Sequence, residues 1–315
     1  MKTKIVVCGA SGFIGRNIAE KLATRDDIEV FGTYFKNKPR QFPQKIKLIK
    51  ADLTKIKDVE RIVAGKDIII QAAAVTSGSH DIVTKPHMHV TDNAVMNSLI
   101  FRAAFKNKLK HVVFFSCTVM YPNQDMSVKE EDFNYQITDK YFGVGWTKVY
   151  LEKMCEFFSK ISNTKYTAIR HSNMYGPFDK YDLEHSHVFG ATVTKIMRNI
   201  DGKITIWGDG SEERDLLYIT DLVDFVETVI KKQKERFELI NLGMGVSISV
   251  KDLINKIIKI SGKNLALKFD TSKPTIKFSL AVNIDKAKMK YNWKPKVSLD
   301  EGIRKTLTWY TKNIL

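Results

Sequence analysis

Three glycines near the start of the chain have the spacing of a loop that binds the phosphates of a dinucleotide. Gly9, Gly12 and Gly15 follow an apolar segment, Lys4–Cys8, and open a helical pattern, Phe13–Thr24. In such a loop the first glycine permits a tight turn, the second lets the backbone approach a pyrophosphate, and the third allows the helix to pack closely on the strand. The helix N-terminus then presents backbone N–H groups to the phosphates. The pattern predicts binding of NAD or NADP.

The residues after the second predicted strand bear on the choice between NAD and NADP. An acidic residue at this point binds the ribose 2′-hydroxyl of NAD, whereas a basic residue accepts the 2′-phosphate of NADP. The segment Thr33–Lys38 contains Lys36 and Lys38 but no carboxylate. The sequence therefore favours NADP over NAD. The alternative is that both lysines simply point into solvent.

Short apolar strands alternate with helical patterns through the first half of the chain. Strands are predicted at Lys4–Cys8, Ile28–Tyr34, Ile46–Lys50, Asp67–Ala72, His111–Phe115 and Tyr166–Arg170. Helices are predicted at Phe13–Thr24, Ile56–Val63, Met88–Phe105 and Gly145–Ile161. Strands that alternate with helices predict a doubly wound parallel sheet of the Rossmann type, with helices on both faces.

After about residue 171 the pattern changes to shorter and less regular elements. Helical patterns recur at Ala191–Arg198, Asp221–Lys232, Val250–Ser261 and Leu299–Tyr310. We expect a dinucleotide-binding domain over residues 1–170 and a smaller, mixed C-terminal substrate lobe over residues 171–315. This division leaves open that some strands or helices after residue 171 belong to the first domain.

Composition narrows the functional class. The chain carries 51 basic and 35 acidic residues, but the basic residues are scattered and the longest basic run is Lys231–Lys232. We therefore expect no nucleic-acid partner and, at most, some attraction of an anionic substrate. The three cysteines have no metal-ligand spacing, and no apolar run approaches a membrane span. No secretory leader is recognised, so we expect a cytoplasmic protein without a metal site.

Further motifs occur in a characteristic order. They are Asp52-Leu53, Ala72-Ala73-Ala74, Asn93, the segment from Arg170 to Pro177 (R-x-x-N-x-Y-G-P), the segment from Arg214 to Asp221 (R-D-x-x-x-x-x-D), and an ending from Tyr291 to Tyr310. Over nearly the whole chain these motifs resemble the extended short-chain dehydrogenase/reductases of the NAD(P)-dependent nucleotide-sugar epimerase/dehydratase family. The resemblance implies a cofactor site built from Gly9, Ser11, Gly12, Phe13, Ile14, Gly15, Lys36, Asp52, Leu53, Ala72, Ala73, Ala74, Asn93, Lys148 and His171.

Within that family the layout of the C-terminal half is most similar to GDP-L-fucose synthases. This similarity implies a nucleotide-sugar substrate, with GDP preferred, held by Asn173, His187, Val188, Lys195, Trp207 and Arg214. By this similarity, His187 would act on the sugar, and Lys195 and Arg214 would bind the pyrophosphate. Cations and hydrogen-bond donors offset the hydration that a diphosphate loses on binding. Alternatively, Arg214 is a structural partner of Asp215 or Asp221.

The catalytic pattern departs from that of the family, which uses a Ser or Thr, a Tyr and a Lys. Lys148 matches the lysine, but Val144 occupies the position of the tyrosine, four residues earlier. Tyr141 could replace that tyrosine if the segment from 141 to 145 loops back, because seven helical residues span about 10.5 Å against about 6 Å for four. Cys117 stands where Ser or Thr is usual. It is interpreted as either a catalytic residue or a buried strand residue, with the hydroxyl then supplied by Thr118.

Three functional interpretations follow. The first is hydride transfer at C4 of the sugar, by a dehydrogenase or a 4-keto reductase, with Lys148, Tyr141, His187 or water handling the proton. The second is an epimerase or epimerase–reductase that uses His187 with an unidentified second base, since Val119 stands where fucose synthases place the partner cysteine. The third is a non-catalytic dinucleotide sensor. Dehydration is disfavoured because Val119-Met120 replaces an acidic pair. The resemblance also implies a homodimer formed through a four-helix bundle of the helices near Met88–Phe105 and Gly145–Ile161.

Overall fold

The computed structural model of the protein describes residues 1–39, 41–76, 84–122, 127–272 and 279–315. Its strands are β1 (Thr3–Cys8), β2 (Ile28–Tyr34), β3 (Lys47–Lys50), β4 (Ile68–Gln71), β5 (His111–Phe115), β6 (Lys165–His171), β7 (Asn173–Tyr175), β8 (Lys203–Trp207), β9 (Glu213–Tyr218), β10 (Phe237–Leu242), β11 (Ser247–Ser249) and β12 (Ala266–Asp270). Its helices are α1 (Phe13–Leu22), α2 (Ile56–Val63), α3 (Thr91–Lys106), α4 (Phe142–Lys160), α5 (Val188–Met197), α6 (Ile219–Lys232), α7 (Val250–Ser261), α8 (Asp285–Tyr291) and α9 (Leu299–Asn313).

Seven parallel strands form the main sheet in the order β10-β6-β5-β4-β1-β2-β3. Successive residues of β1 are buried on opposite faces: Ile5 and Val7 join one apolar core, and Val6 and Cys8 join the other. Apolar residues at every position are what a strand covered on both faces requires. The Rossmann-type doubly wound sheet expected from the sequence is confirmed.

The chain beyond residue 171 contributes to both parts of the fold. β10 pairs with β6 in the main sheet, and α6 packs on α1. The smaller lobe contains a three-stranded sheet in the order β11-β9-β7 and a two-stranded sheet of β12 and β8. One apolar core runs from Ile5 in β1 to Tyr310 in α9, so the two lobes pack on shared side chains. No helix in the described ranges is long and apolar enough to span a bilayer.

One helix boundary differs from the sequence-based expectation in a way that affects the site. α4 begins at Phe142, not at Gly145, and follows a 3₁₀ turn, Asp139–Tyr141. Its two early glycines are helical, and a Cβ at either would lie 2.9 Å from a neighbouring side chain, that of Val90 or Ile137. Close packing of other segments against the helix therefore explains glycines that look like helix breakers in the sequence.

A buried ion pair fixes α4 against the sheet. Both Nε and Nη2 of Arg170 in β6 donate to the carboxylate of Glu152 in α4, at 2.9 and 2.7 Å. Ser116 Oγ, just after β5, donates to the same carboxylate at 2.6 Å. Arg170 Nη1 also donates to the hydroxyl of Tyr121, which donates in turn to Asn241 in β10. The network joins three adjacent strands to one helix.

We expect Glu152→Ala to lower the free energy of unfolding by about 3–5 kcal/mol, because it leaves a buried arginine without its counter-charge. Urea denaturation measures the change. Glu156→Ala is the matched control one helical turn later, where the carboxylate pairs with Lys153 and Lys160 at the surface and is worth at most about 1 kcal/mol. Equal losses of unfolding free energy in the two variants would contradict a larger stabilising effect of the buried ion pair between Arg170 and Glu152.

Candidate active site

The predicted cofactor loop lies at the point where the strand order of the sheet reverses. β1 is flanked by β4 on one side and β2 on the other, and the chain continues outward from this centre in both directions. In open α/β sheets this crevice, at the carboxyl ends of the strands, is where ligands bind. The loop after β1 and the residues after β4 both lie at this crevice.

The geometry of this loop fits a dinucleotide. Gly9 has a φ of +74°, and its N–H donates to Thr33 Oγ1 at 2.9 Å, which fixes the loop against β2. A Cβ on Gly9 would lie 2.7 Å from the Cα of Ala73, and a Cβ on Gly15 would lie 2.7 Å from the carbonyl carbon of Gly9. Gly12 precedes the first turn of α1, and its side of the loop remains open to a pyrophosphate. Glycines at these three positions let the loop backbone approach a phosphate closely, as phosphate binding requires.

The remaining cofactor candidates surround that loop in different ways. Ser11, Ala74 and Lys36 are exposed, Phe13, Ile14, Asp52, Ala72, Ala73 and His171 are half-buried, and Leu53 belongs to the core. Asp52 Oδ1 accepts hydrogen bonds from the N–H and hydroxyl of Thr54. The amide group of Asn93 bonds both the N–H and the carbonyl of Val75, each at 2.9 Å. Asn93 therefore holds the segment that follows β4 in place.

Lys148 lies where β5 ends. Its Nζ donates to the Phe115 carbonyl at 2.7 Å and sits 4.9 Å from the centre of the Phe114 ring. Burial lowers the pKa of Lys148, while Cys117 and Glu152 oppose that shift. Burial also lowers the pKa of the nearby His171 to about 4, with Lys148 and His187 contributing, so this imidazole is neutral at physiological pH.

Cys117 is not a strand residue, because β5 ends two residues before it. The side chain is half-buried beside Lys148, and burial raises the pKa of its thiol despite the opposing effect of Lys148. The thiol is therefore protonated at neutral pH. Thr118 faces a small cavity of about 60 Å³ that is also lined by Val119, Tyr141, Ser172, Asn173, Glu213, Arg214, Asp215 and Leu280.

Tyr141 also lines this cavity. It is the N-cap residue of α4, seven residues before Lys148, and its side chain is buried with Thr118 and Arg214 around it. Burial raises the pKa of Tyr141, and Arg214 opposes the rise. Val144, at the usual tyrosine position, is half-buried against the core. Cys117 is an electrostatic neighbour of both Tyr141 and Lys148.

The two aspartates offered as alternative partners of Arg214 serve backbone groups. Asp215 accepts from the N–H groups of Met244, Gly245 and Val282 at 2.7–3.2 Å. Asp221 accepts from two further backbone amides, each at 3.1 Å. Arg214 Nη1 donates to the carbonyl of Glu213, and the side chain lines the small cavity.

A larger, open cavity of about 760 Å³ lies in the smaller lobe. Lys195 and Trp207 line it, and Trp207 keeps 45% of its surface exposed. Arg198 and Lys203 add positive charge that the sequence did not single out, although Arg198 follows Lys195 by three residues and so shares its helix face. Lys195 and Trp207 thus line one cavity and Arg214 lines another, whereas Lys195 and Arg214 were predicted to meet the same pyrophosphate.

His187 is the residue that precedes α5, and Val188 begins that helix. The His187 side chain is exposed, yet desolvation by the surrounding protein lowers the pKa of its imidazole, and Lys180 and His89 lower it further. It is consequently neutral at neutral pH. The sequence missed His89 and Glu152. Glu152 could have been identified in the sequence as a carboxylate one helical turn after Lys148, on the inward face of the helix. No feature of the sequence identifies His89. Within the described residues no three His, Cys, Asp or Glu side chains form a metal site.

Comparison with known proteins assigns the family. Residues 5–243 match the model of the NAD dependent epimerase/dehydratase family. The chain belongs to this family. It is 28% identical to GDP-L-colitose synthase of Yersinia pseudotuberculosis, over 98% of this chain and 97% of that protein. It is 27% identical to GDP-L-fucose synthase of Sinorhizobium fredii, over 99% of this chain and 96% of that protein.

Among solved structures, UDP-glucose 4-epimerase of Thermotoga maritima, determined with UDP-glucose, superposes with a TM-score of 0.89. It is 23% identical, and the match covers 99% of this chain and all of that one. This likeness concerns the fold. The resemblance expected from the motifs is confirmed: the protein is an enzyme, a nucleotide-sugar oxidoreductase of the epimerase/dehydratase type. The individual site roles stay predictions.

We expect Gly15→Ala to weaken dinucleotide binding at least about tenfold, since the new Cβ would overlap the Gly9 carbonyl that shapes the loop. Titration of NADPH fluorescence measures the change in Kd. Gly65→Ala is the control: its φ of +66° costs roughly 1 kcal/mol of stability, but no atom within 4 Å crowds the new Cβ. An unchanged Kd in a correctly folded Gly15→Ala variant would argue against this cradle.

Proposed function

We propose that the enzyme transfers hydride at C4 of a GDP-linked hexose or heptose, as a 4-dehydrogenase or 4-keto reductase. The observation that carries this proposal is the position of Lys148. Its ammonium is held at the carboxyl end of β5, one strand from the cofactor crevice, and Thr118 and Tyr141 line one small cavity. A nicotinamide bound in the crevice supplies hydride exchange with a sugar carbon.

The residues then have separate tasks. Lys148 binds the nicotinamide ribose, and the hydroxyl of Thr118 orients the oxygen on C4. Tyr141 holds the proton that this oxygen receives, because burial keeps its phenol protonated well above neutral pH. Arg214 is a nearby cation that opposes the rise in the pKa of Tyr141 and stabilises negative charge as it develops in the reaction. A protonated phenol suits reduction of a 4-keto group better than oxidation of an alcohol.

Two features support a guanine nucleotide as the activating group. The relatives at 27–28% identity, which extend over nearly the whole chain, carry GDP-sugar names. The large cavity offers an exposed indole for stacking a base and three cations, from Lys195, Arg198 and Lys203, for phosphates.

We also propose that NADP is preferred to NAD. The family is described as NAD dependent, but the segment after β2 in this chain offers the exposed Lys36 and Lys38 and no carboxylate. A lysine at this point suits a 2′-phosphate.

The assay is oxidation of NADPH at 340 nm with 4-keto sugars linked to GDP, UDP, dTDP or CDP, run in parallel with NADH. We expect turnover with the GDP series and faster turnover with NADPH. Tyr141→Phe should lower kcat by about 10²–10⁴, the usual worth of a general acid. Tyr135→Phe, at an exposed tyrosine just before α4, is the matched control. Lys148→Ala should abolish turnover.

Each outcome of this assay bears on a different part of the proposal. Full activity of Tyr141→Phe would remove the phenol from the mechanism. Tight dinucleotide binding without absorbance change for any nucleotide sugar would overturn hydride transfer itself. Equal rates with NADH and NADPH would remove the NADP preference alone.

A combined epimerase–reductase is the second candidate, and the observation that favours it is His187. Its neutral imidazole at the cleft can take a proton from a carbon next to a 4-keto group. Uptake of solvent deuterium into the sugar, lost in His187→Gln, would support this function. Reduction without any deuterium uptake would exclude it.

We further propose a homodimer formed through α3 and α4. Tyr150 and Phe157 of α4 and Ile161, the residue that follows this helix, are seven and four residues apart, and each is about half exposed, as is Val95 of α3 to a lesser degree. Such a stripe on a soluble enzyme indicates an interface.

Light scattering should therefore report twice the 36.1 kDa chain mass. Phe157→Glu should shift the protein towards monomer because it introduces a charge into this stripe. Met289→Glu, at an exposed methionine of α8, is the control for added charge. A wild-type mass of one chain at micromolar concentration would contradict the proposal.

A further inference from the structure

His89 is a buried histidine in a short turn that follows the cofactor crevice. It closes a 3₁₀ turn, Pro86–His89, directly before α3, and only 4% of its surface is exposed. Its Nδ1 lies 3.3 Å from the carbonyl oxygen of Val75. Asn93 holds that same residue by its backbone and bonds the carbonyl of His89 as well. The ring is therefore fixed on two sides.

The second ring nitrogen of His89, Nε2, determines what the side chain can bind. Since Nδ1 faces a carbonyl, it carries the hydrogen, which leaves a lone pair on Nε2. Nε2 is buried and has no hydrogen-bond partner among the residues that the structure describes. A buried acceptor without a donor is unfavourable, and such atoms in native proteins usually have a partner that is missing from the coordinates.

The surroundings of His89 indicate what that partner is. Lys180, from the smaller lobe, donates its Nζ to the carbonyl of Thr76 at 2.7 Å, one residue after Val75. His187, which precedes α5 in the same lobe, is affected electrostatically by both Lys180 and His89. The turn with His89 also packs on the first turn of α4, where Val144 replaces a bulky tyrosine. His89, which precedes α3, and His187, which precedes α5 in the smaller lobe, are therefore close enough to interact electrostatically.

We propose that His89 is a specificity-determining residue whose Nε2 accepts a hydrogen bond from a hydroxyl of the sugar. His89 and His187 then hold the sugar from opposite lobes of the cleft. The inference rests on the proposed function, because it requires that this cleft binds a nucleotide sugar. It concerns the sugar alone, since the phosphate cradle and the large cavity are formed by other residues.

The test compares binding of a nucleotide sugar with binding of the matching nucleoside diphosphate, by calorimetry with NADPH present. The probe is the tightest binder among GDP-D-mannose, UDP-D-glucose and dTDP-D-glucose. We expect His89→Phe, which keeps an aromatic ring but has no acceptor, to weaken the nucleotide sugar about tenfold. Affinities for the diphosphate and for NADPH should change less than twofold. His89→Gln, whose side chain places a polar group near the Nε2 position, should recover most of the loss.

Several results would overturn this role. An unchanged affinity of His89→Phe for the nucleotide sugar is one, and an equal loss for the sugar and the diphosphate is another, since it indicates a structural effect. If His89→Phe does not fold, the same probe lacking one sugar hydroxyl at a time decides the matter. His89→Gln must then alter the penalty for one hydroxyl and not for the others. Failure of the wild-type protein to bind any nucleotide sugar would instead overturn the proposed function.

Discussion

The buried pair of Arg170 and Glu152 is the interaction on which the geometry of the site depends. Glu152 follows Lys148 by one helical turn, so the bidentate contact with β6 sets both the rotation and the height of α4. That position brings the ammonium of Lys148 to the carbonyl where β5 ends. Ser116 satisfies a further carboxylate lone pair, as a buried charge requires. The buried pair thereby places Lys148, the lysine that we propose binds the nicotinamide ribose.

In the smaller lobe, too, a buried carboxylate, that of Asp215, fixes the position of a strand. Asp215 is almost fully buried and accepts from three backbone amides, two in the segment after β10 and one at Val282. These bonds hold β9 in place, and the neighbouring residue, Arg214, is turned towards the small cavity with Tyr141. Both residues line the small cavity, but the carboxylate of Asp215 is bound by backbone amides, whereas Arg214 presents a cation near Tyr141.

Much of the fold was predictable because its signals are local. The apolar strands and amphipathic helices of the first half appear within a few residues of their expected ends, since burial on two faces or on one stripe determines the residue pattern directly. The start of α4 was the exception. In the sequence, Gly143 and Gly145 indicate a break in the helix. In the structure both are helical, and Val90 and Ile137 pack closely against them. No local pattern contains those contacts.

The dinucleotide cradle and Lys148 were predictable from the sequence because each depends on spacing within one short segment, and the family was predictable because its motifs recur in order along the chain. Only the tertiary structure decided that Tyr141 lies beside Thr118 and Arg214, and that Lys195 faces a separate cavity. These groups come from strands and helices far apart in the chain. Their separations are set by how α4, α5 and β9 pack on a common core, and the order of residues does not record that packing.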